Sequence, residues 1–179
     1  MIVDEKKYQV HACEAEHSVP TFSFLFEEKE KPGTFYPEKA NSLGVPKGEL
    51  WHKLQQGEEV VVESKTIKPS DVMGPKIPGK KIGISGDTRP TKKLEAFFKN
   101  SDYLVFDSTF SDELKEKAVE SCHSTAKEAA TLAKNASVSN LILRHFSARY
   151  KDDNALLDEA NTVHDSVIAA KDQLIVKIE

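Results

Sequence analysis

Apolar and polar positions alternate most plainly near the start of the chain and throughout its second half. Residues 8–13, "YQVHAC", and 21–26, "TFSFLF", carry β-branched and aromatic side chains in partial alternation. They predict two strands joined by the polar stretch "EAEHSVP". Beyond Gly79 the pattern becomes regular: strand 81–85, helix 91–99, strand 103–107, helices 111–120 and 125–134, and strand 139–144. Leu156, Leu157, Ala160, Val163, Val167 and Ile168 share one helical face, so a helix is expected over 153–170, followed by a last strand in "QLIVKI". Thr125 with Glu128 makes a capping box, and the aspartates before "NALL" can cap the next helix. Strands alternating with helices make an α/β layer sandwich.

Between these regions the composition shifts. Six of the eight prolines and six of the eight glycines fall from Pro32 to Gly79, a density that interrupts any regular layer and marks a long excursion. Within it, "PEKANSLG" and "GELWHKLQQG" read as short helices ending at Gly44 and Gly57, and "EEVVVES" as one strand of a hairpin. The excursion holds the sole tryptophan, Trp51, which either packs a miniature core of its own or contributes to binding.

Composition narrows the function classes only slightly. The chain has 179 residues, enough for one domain with an appendage, and a formal charge of −4, with no global basic excess to advertise nucleic acid. Residues 27–81 are locally different, with ten lysines against nine acids, and a local basic loop suffices to bind phosphates. Cys13 and Cys122 form no metal-ligand or disulfide spacing; they read as small buried hydrophobes in a reducing cytoplasm. No run approaches the roughly 18 apolar residues of a membrane span, and "MIVDEKKYQV" lacks the apolar core of a secretory signal.

Candidate chemistry collects at strand ends, where loops are exposed on a firm support. Asp87 follows strand 81–85 in "GISGD", Asp107 closes strand 103–107 in "VFDSTF", and His145 follows strand 139–144 in "LILRH". His123 stands before a capped helix in "SCHST". Carboxylates and imidazoles on converging loops suit zinc or manganese, although each alone equally suits a turn or a cap. His11, His17, His52 and His164 read as structural histidines.

The ordered set "HSVP" (17–20), "KPGTFYPEKANSLGVPKGELWHKLQQGEEV" (31–60), "SGDTRP" (85–90), "LVFDSTF" (104–110), "HSTAKEAATLAKNA" (123–136) and "LILRHFSARY" (141–150) resembles ribonuclease Z, from about Tyr8 to the end of the chain. That family comprises the tRNA 3′-processing endonucleases of the metallo-β-lactamase superfamily. The resemblance implies the C-terminal portion of a metallo-β-lactamase-type αβ/βα sandwich, residues 1–179, with 27–79 an inserted tRNA-binding arm. It further implies Asp87 as a carboxylate bridging two zinc ions, and His145 as a ligand to one of them. His123 would be the catalytic imidazole near the scissile phosphate, oriented by Asp107, which stands where many members have the Glu of "HEAT". Phe106 replaces the His of that motif. The implied reaction is zinc-assisted phosphodiester hydrolysis of precursor tRNA.

The same resemblance makes Lys29, Lys31, Lys39, Lys47, Gly48 and Lys53 candidate tRNA contacts in the arm, where Glu49 follows Gly48 in place of a common Pro. It implies a homodimer, and a domain-swapped or other self-associated assembly is the alternative. A His-x-His-x-Asp-His stretch, the family's main zinc-binding motif, occurs nowhere in the sequence. The expectation is therefore a chain inactive by itself, with uncovered apolar faces that favour self-association. The alternatives are a non-catalytic tRNA-binding module and another metallo-β-lactamase-type hydrolase.

Overall fold

The computed structural model of the chain describes residues 1–178. In chain order the elements are β1 (Val3–Asp4), β2 (Tyr8–Glu14), β3 (Phe22–Glu28), α1 (Pro37–Ser42), α2 (Glu49–Gln55), β4 (Val60–Val62), β5 (Lys65–Ile67), α3 (Pro69–Val72), β6 (Lys81–Ile84), α4 (Lys92–Phe97), β7 (Tyr103–Asp107), α5 (Lys115–Glu120), α6 (Ala126–Asn135), β8 (Asn140–Arg144), α7 (Asn154–Asn161) and β9 (Val167–Ala169). They fall into two compact units, one of residues 1–28 with 80–179 and one of residues 29–79.

The first unit is a seven-stranded sheet in the order β1-β2-β3-β6-β7-β8-β9. The run from β1 to β6 is antiparallel, and β6, β7, β8 and β9 are parallel. Period-2 alternation sorts the strand residues onto two faces. Leu25, Leu104, Phe106, Leu141 and Leu143 point into a core completed by Leu94 of α4 and Phe98 at its end, the alanines of α6, and Leu156 and Ala160 of α7. Gly83 lies at the tightest point: a Cβ there would come within 2.5 Å of the Phe98 ring.

The opposite face carries an apolar row across six strands, in which register pairs Ala12 with Phe24, Phe24 with Ile84, Ile84 with Val105, Val105 with Ile142, and Ile142 with Ile168. Phe24 and Ile84 are 41% and 46% exposed in that row. This face is open to water over β3 and β6.

The second unit packs Ala40, Val45, Leu54, Val60, Ile67 and Val72 into a small core of its own, flanked by Phe35 and Trp51. The Trp51 indole N–H donates to Val45 O at 2.9 Å, so the ring belongs to that core. The β4–β5 hairpin is present, and α1 and α2 stop just short of Gly44 and Gly57.

Four expectations need correction. The helix foreseen over 153–170 ends at Asn161, and residues 167–169 form the edge strand β9. Val167 and Ile168 fit a helical spacing, but their β-branched side chains pair in parallel beside Leu141 and Ile142. "QLIVKI" forms no strand; its Lys177 carbonyl accepts from the Tyr103 hydroxyl at 3.4 Å. The helix foreseen over 111–120 divides into a 3-10 turn, Asp112–Leu114, and α5. Cys13 and Cys122 are free thiols and only half-buried.

Candidate functional site

Three adjacent parallel strands, β6, β7 and β8, deliver their carboxyl ends to one place. Asp87 lies three residues past β6, Asp107 is the last residue of β7, and His145 is the first residue past β8. His145 takes φ 65°, a left-handed conformation that costs a non-glycine residue on the order of 1 kcal/mol and turns its ring out of the strand direction. His123 arrives from the other side, in the turn before α6. That turn is fixed by His123 N–H donating to Ala118 O (2.9 Å) and by the expected Thr125–Glu128 capping box.

Asp107 is fully buried and accepts four hydrogen bonds. Its Oδ1 accepts from Thr109 N (3.0 Å) and Thr109 Oγ1 (2.7 Å); its Oδ2 accepts from Thr88 N (3.0 Å) and His123 Nδ1 (2.7 Å). Facing a carboxylate, His123 Nδ1 carries its hydrogen, which leaves Nε2 as the outward atom. Thr109 extends the same logic to the second imidazole. Its one hydroxyl hydrogen goes to Asp107, so at 2.8 Å it accepts from His145 Nδ1, again leaving Nε2 outward. The two rings stack at 4.9 Å. Asp107 thus orients one histidine directly and the other through Thr109.

Asp87 completes the cluster. Its Oδ2 is 3.4 Å from His145 Nε2 and its Oδ1 accepts from the Arg144 guanidinium at 2.8 Å. Ligand atoms of Asp87, His123 and His145 all lie within 4.8 Å of one another. Two imidazoles whose Nδ1 atoms are already bonded, converging with a carboxylate, make a donor set that fits zinc.

The structure brings together all four residues singled out at the strand and helix ends. Arg144, Arg89 and the neighbourhood of His17 were not foreseen. His17, read as structural, packs edge-on against His123 with the ring centres 4.9 Å apart, while its Nδ1 meets Cys122 O at 2.9 Å. No local signal announces these contacts, which span 57 residues for Arg144–Asp87 and 105 for His17–Cys122.

In the second unit, Lys31, Lys39 and Lys47 are exposed, and Lys29 and Lys53 are half-buried. Lys39 Nζ lies 4.6 Å from the centre of the Tyr36 ring, and Lys53 pairs with Glu49 at 2.9 Å. Gly48 takes φ 129°, open to glycine alone at little cost, immediately before α2. The hydrogen bond from Lys53 holds the Glu49 carboxyl below its ordinary range and raises Lys53 in return. Glu49 therefore occupies the lysine nearest to it in the helix.

No protein-family model matches the chain. Among curated proteins, the ribonuclease Z of Nitrosopumilus maritimus is 60% identical over 99% of the chain, and that of Archaeoglobus fulgidus is 43% identical over 96%. The chain covers 60% and 56% of those two proteins. Among solved structures, human tRNase Z, short form, superposes with a TM-score of 0.59 at 22% identity, over 100% of the chain and 46% of that protein. The metallo-β-lactamase fold protein YhfI of Bacillus subtilis gives 0.59 at 13% identity, over 93% and 48%. The chain spans roughly three fifths of the length of the curated relatives it matches, and over that span it is similar to ribonuclease Z proteins and has the metallo-β-lactamase fold.

Proposed function

We propose that this chain carries one part of a zinc-dependent tRNA 3′-processing endoribonuclease: the imidazole–carboxylate cluster and the RNA-gripping arm. The observation that supports this most strongly is the Asp107 network, which leaves two Nε2 atoms and the Asp87 carboxylate facing one point.

Asp87 and His145 would hold zinc, which when bound supplies Lewis-acid polarisation of the scissile phosphodiester. His123 works on the leaving group. Backed by Asp107, a doubly protonated His123 would give its Nε2 proton to the 3′-oxygen of the tRNA as the P–O3′ bond breaks, while a water oxygen bonds to phosphorus and releases its proton to solvent. The products are a tRNA ending in a free 3′-hydroxyl and a trailer bearing the phosphate.

A two-zinc centre wants about four donors per ion, and only Asp87 and His145 of this cluster are assigned to zinc. The chain by itself is accordingly a binding unit that needs further ligands for turnover. Residues 27–79 act as the arm, with Lys29, Lys31, Lys39 and Lys47 meeting tRNA phosphates and Lys53 weakened by Glu49. The open Phe24–Ile84 face supports self-association as a homodimer. Among the described residues no helix is long and apolar enough to cross a membrane, and both cysteines are free thiols, which suits a cytoplasmic enzyme.

The test is a graft in which this chain replaces the matching part of the Nitrosopumilus maritimus relative. Cleavage of a 3′-extended precursor tRNA, abolished by Asp87→Ala, is the expected result. Undiminished cleavage in the Asp87→Ala graft would remove Asp87 from the site.

A further inference from the structure

The Arg89 guanidinium is only 13% exposed and pairs in a fork with Glu128, itself 14% exposed, through contacts of 2.7 Å and 2.5 Å. The same guanidinium donates to His123 O at 2.5 Å. Its backbone is held as firmly: Pro90 biases Arg89 toward extended conformations, Arg89 N donates to Glu16 O at 2.9 Å, and Thr88 Oγ1 donates to Arg89 O at 2.9 Å.

A cation beside the start of α6 sits at the unfavourable end of the helix dipole. Glu128 offsets that charge, and it also closes the capping box by accepting from Thr125 N at 3.1 Å. Helix stability alone would be served by the capping box without the arginine. What the arginine adds is a bond to the one carbonyl that belongs to His123.

We propose that Arg89 is a positioning residue for His123. Anchored on Glu128 and on the backbone of residue 16, it fixes the main chain of the His123 turn, so that the Nδ1–H of that ring meets Asp107 and Nε2 points at the phosphate. A lysine cannot make this arrangement, since one ammonium on a flexible stem does not reach a carboxylate in a fork and a carbonyl together. The proposal rests on the functional reading above only for what His123 does, and not for how it is held.

The test is proton NMR of the imidazole N–H groups in the full chain, reading the His123 Nδ1 proton bonded to Asp107. The main variant is Arg89→Met with Glu128→Gln. Gln still serves a capping box, and a buried ion pair exchanged for neutral groups of similar volume often leaves stability unchanged. The expected result is a thermal midpoint within about 4 °C of the unaltered chain together with loss of the His123 proton signal. Arg89→Lys, which keeps the charge, should lose the signal as well. A His123 signal unchanged in both variants would overturn the proposal while leaving the functional reading intact. Full cleavage by a His123→Ala graft would overturn the functional reading and leave this result standing.

Discussion

Asp107 and His123, 16 residues apart in the sequence, meet at 2.7 Å where a parallel strand ends and a capped helix begins. The carboxylate is fully buried, while His123 keeps 15% of its side chain accessible. The pair therefore has a fixed back and an open front.

Asp107→Asn should disturb both histidines while preserving volume. An amide can turn a donor toward His123 or Thr109, and partners of this kind typically tune metal affinity by about 10–100-fold. Isothermal titration of zinc into the chain and into this variant measures the loss. Equal affinity would show that Asp107 does not orient ligands.

Asp107→Ala should cost stability as well. It strands the Thr88 and Thr109 amide groups in the interior, a penalty of about 1–3 kcal/mol per unsatisfied group, readable in urea unfolding.

The two histidines should separate by assay. His145→Ala is expected to reduce zinc uptake by the chain, whereas His123→Ala should leave uptake near normal and slow only the chemical step in the grafted enzyme. Zinc lost equally from both variants would make His123 a ligand.

Glu49→Ala should free Lys53 and strengthen tRNA binding by the chain in a filter-binding assay at low salt. The sign follows from the pair: Glu49 lies below the ordinary carboxyl range because of Lys53, and Lys53 is raised because of Glu49. Removing the acid returns Lys53 downward toward its ordinary value, still charged near neutrality, with its donors released. Unchanged affinity would take Lys53 out of the RNA contact.

On the sheet, Gly83→Ala should cost about 1–3 kcal/mol by forcing a methyl group against Phe98. One residue further, Ile84→Ser should leave stability nearly intact and weaken self-association in sedimentation, because that side chain is 46% exposed.

Much of this was legible in the sequence, for identifiable reasons. β6, β7 and β8 are short apolar runs that end in chemistry-bearing residues, and parallel order brings such ends together. The Thr125–Glu128 box is local and needed no tertiary knowledge. The stretch 156–168 misled because period 3.6 fits Val167 and Ile168 by chance, whereas the decision between helix and strand was made by the vacant edge of β8. Arg144 and Arg89 were missed for a different cause. An arginine at a strand end reads as solvated surface until its distant partners, Asp87 and Glu128, are placed.

The most direct measurement is a gel assay of this chain alone on a 3′-extended precursor tRNA, with zinc and with an EDTA control. Bands shifted by intact tRNA in both conditions, without cleavage, are the result that the proposed function predicts, since it assigns this chain an RNA-gripping arm and only part of a zinc ligand set. Zinc-dependent cleavage at the discriminator base would contradict the partial-site reading, and the absence of any shift would contradict the RNA-gripping role of residues 27–79.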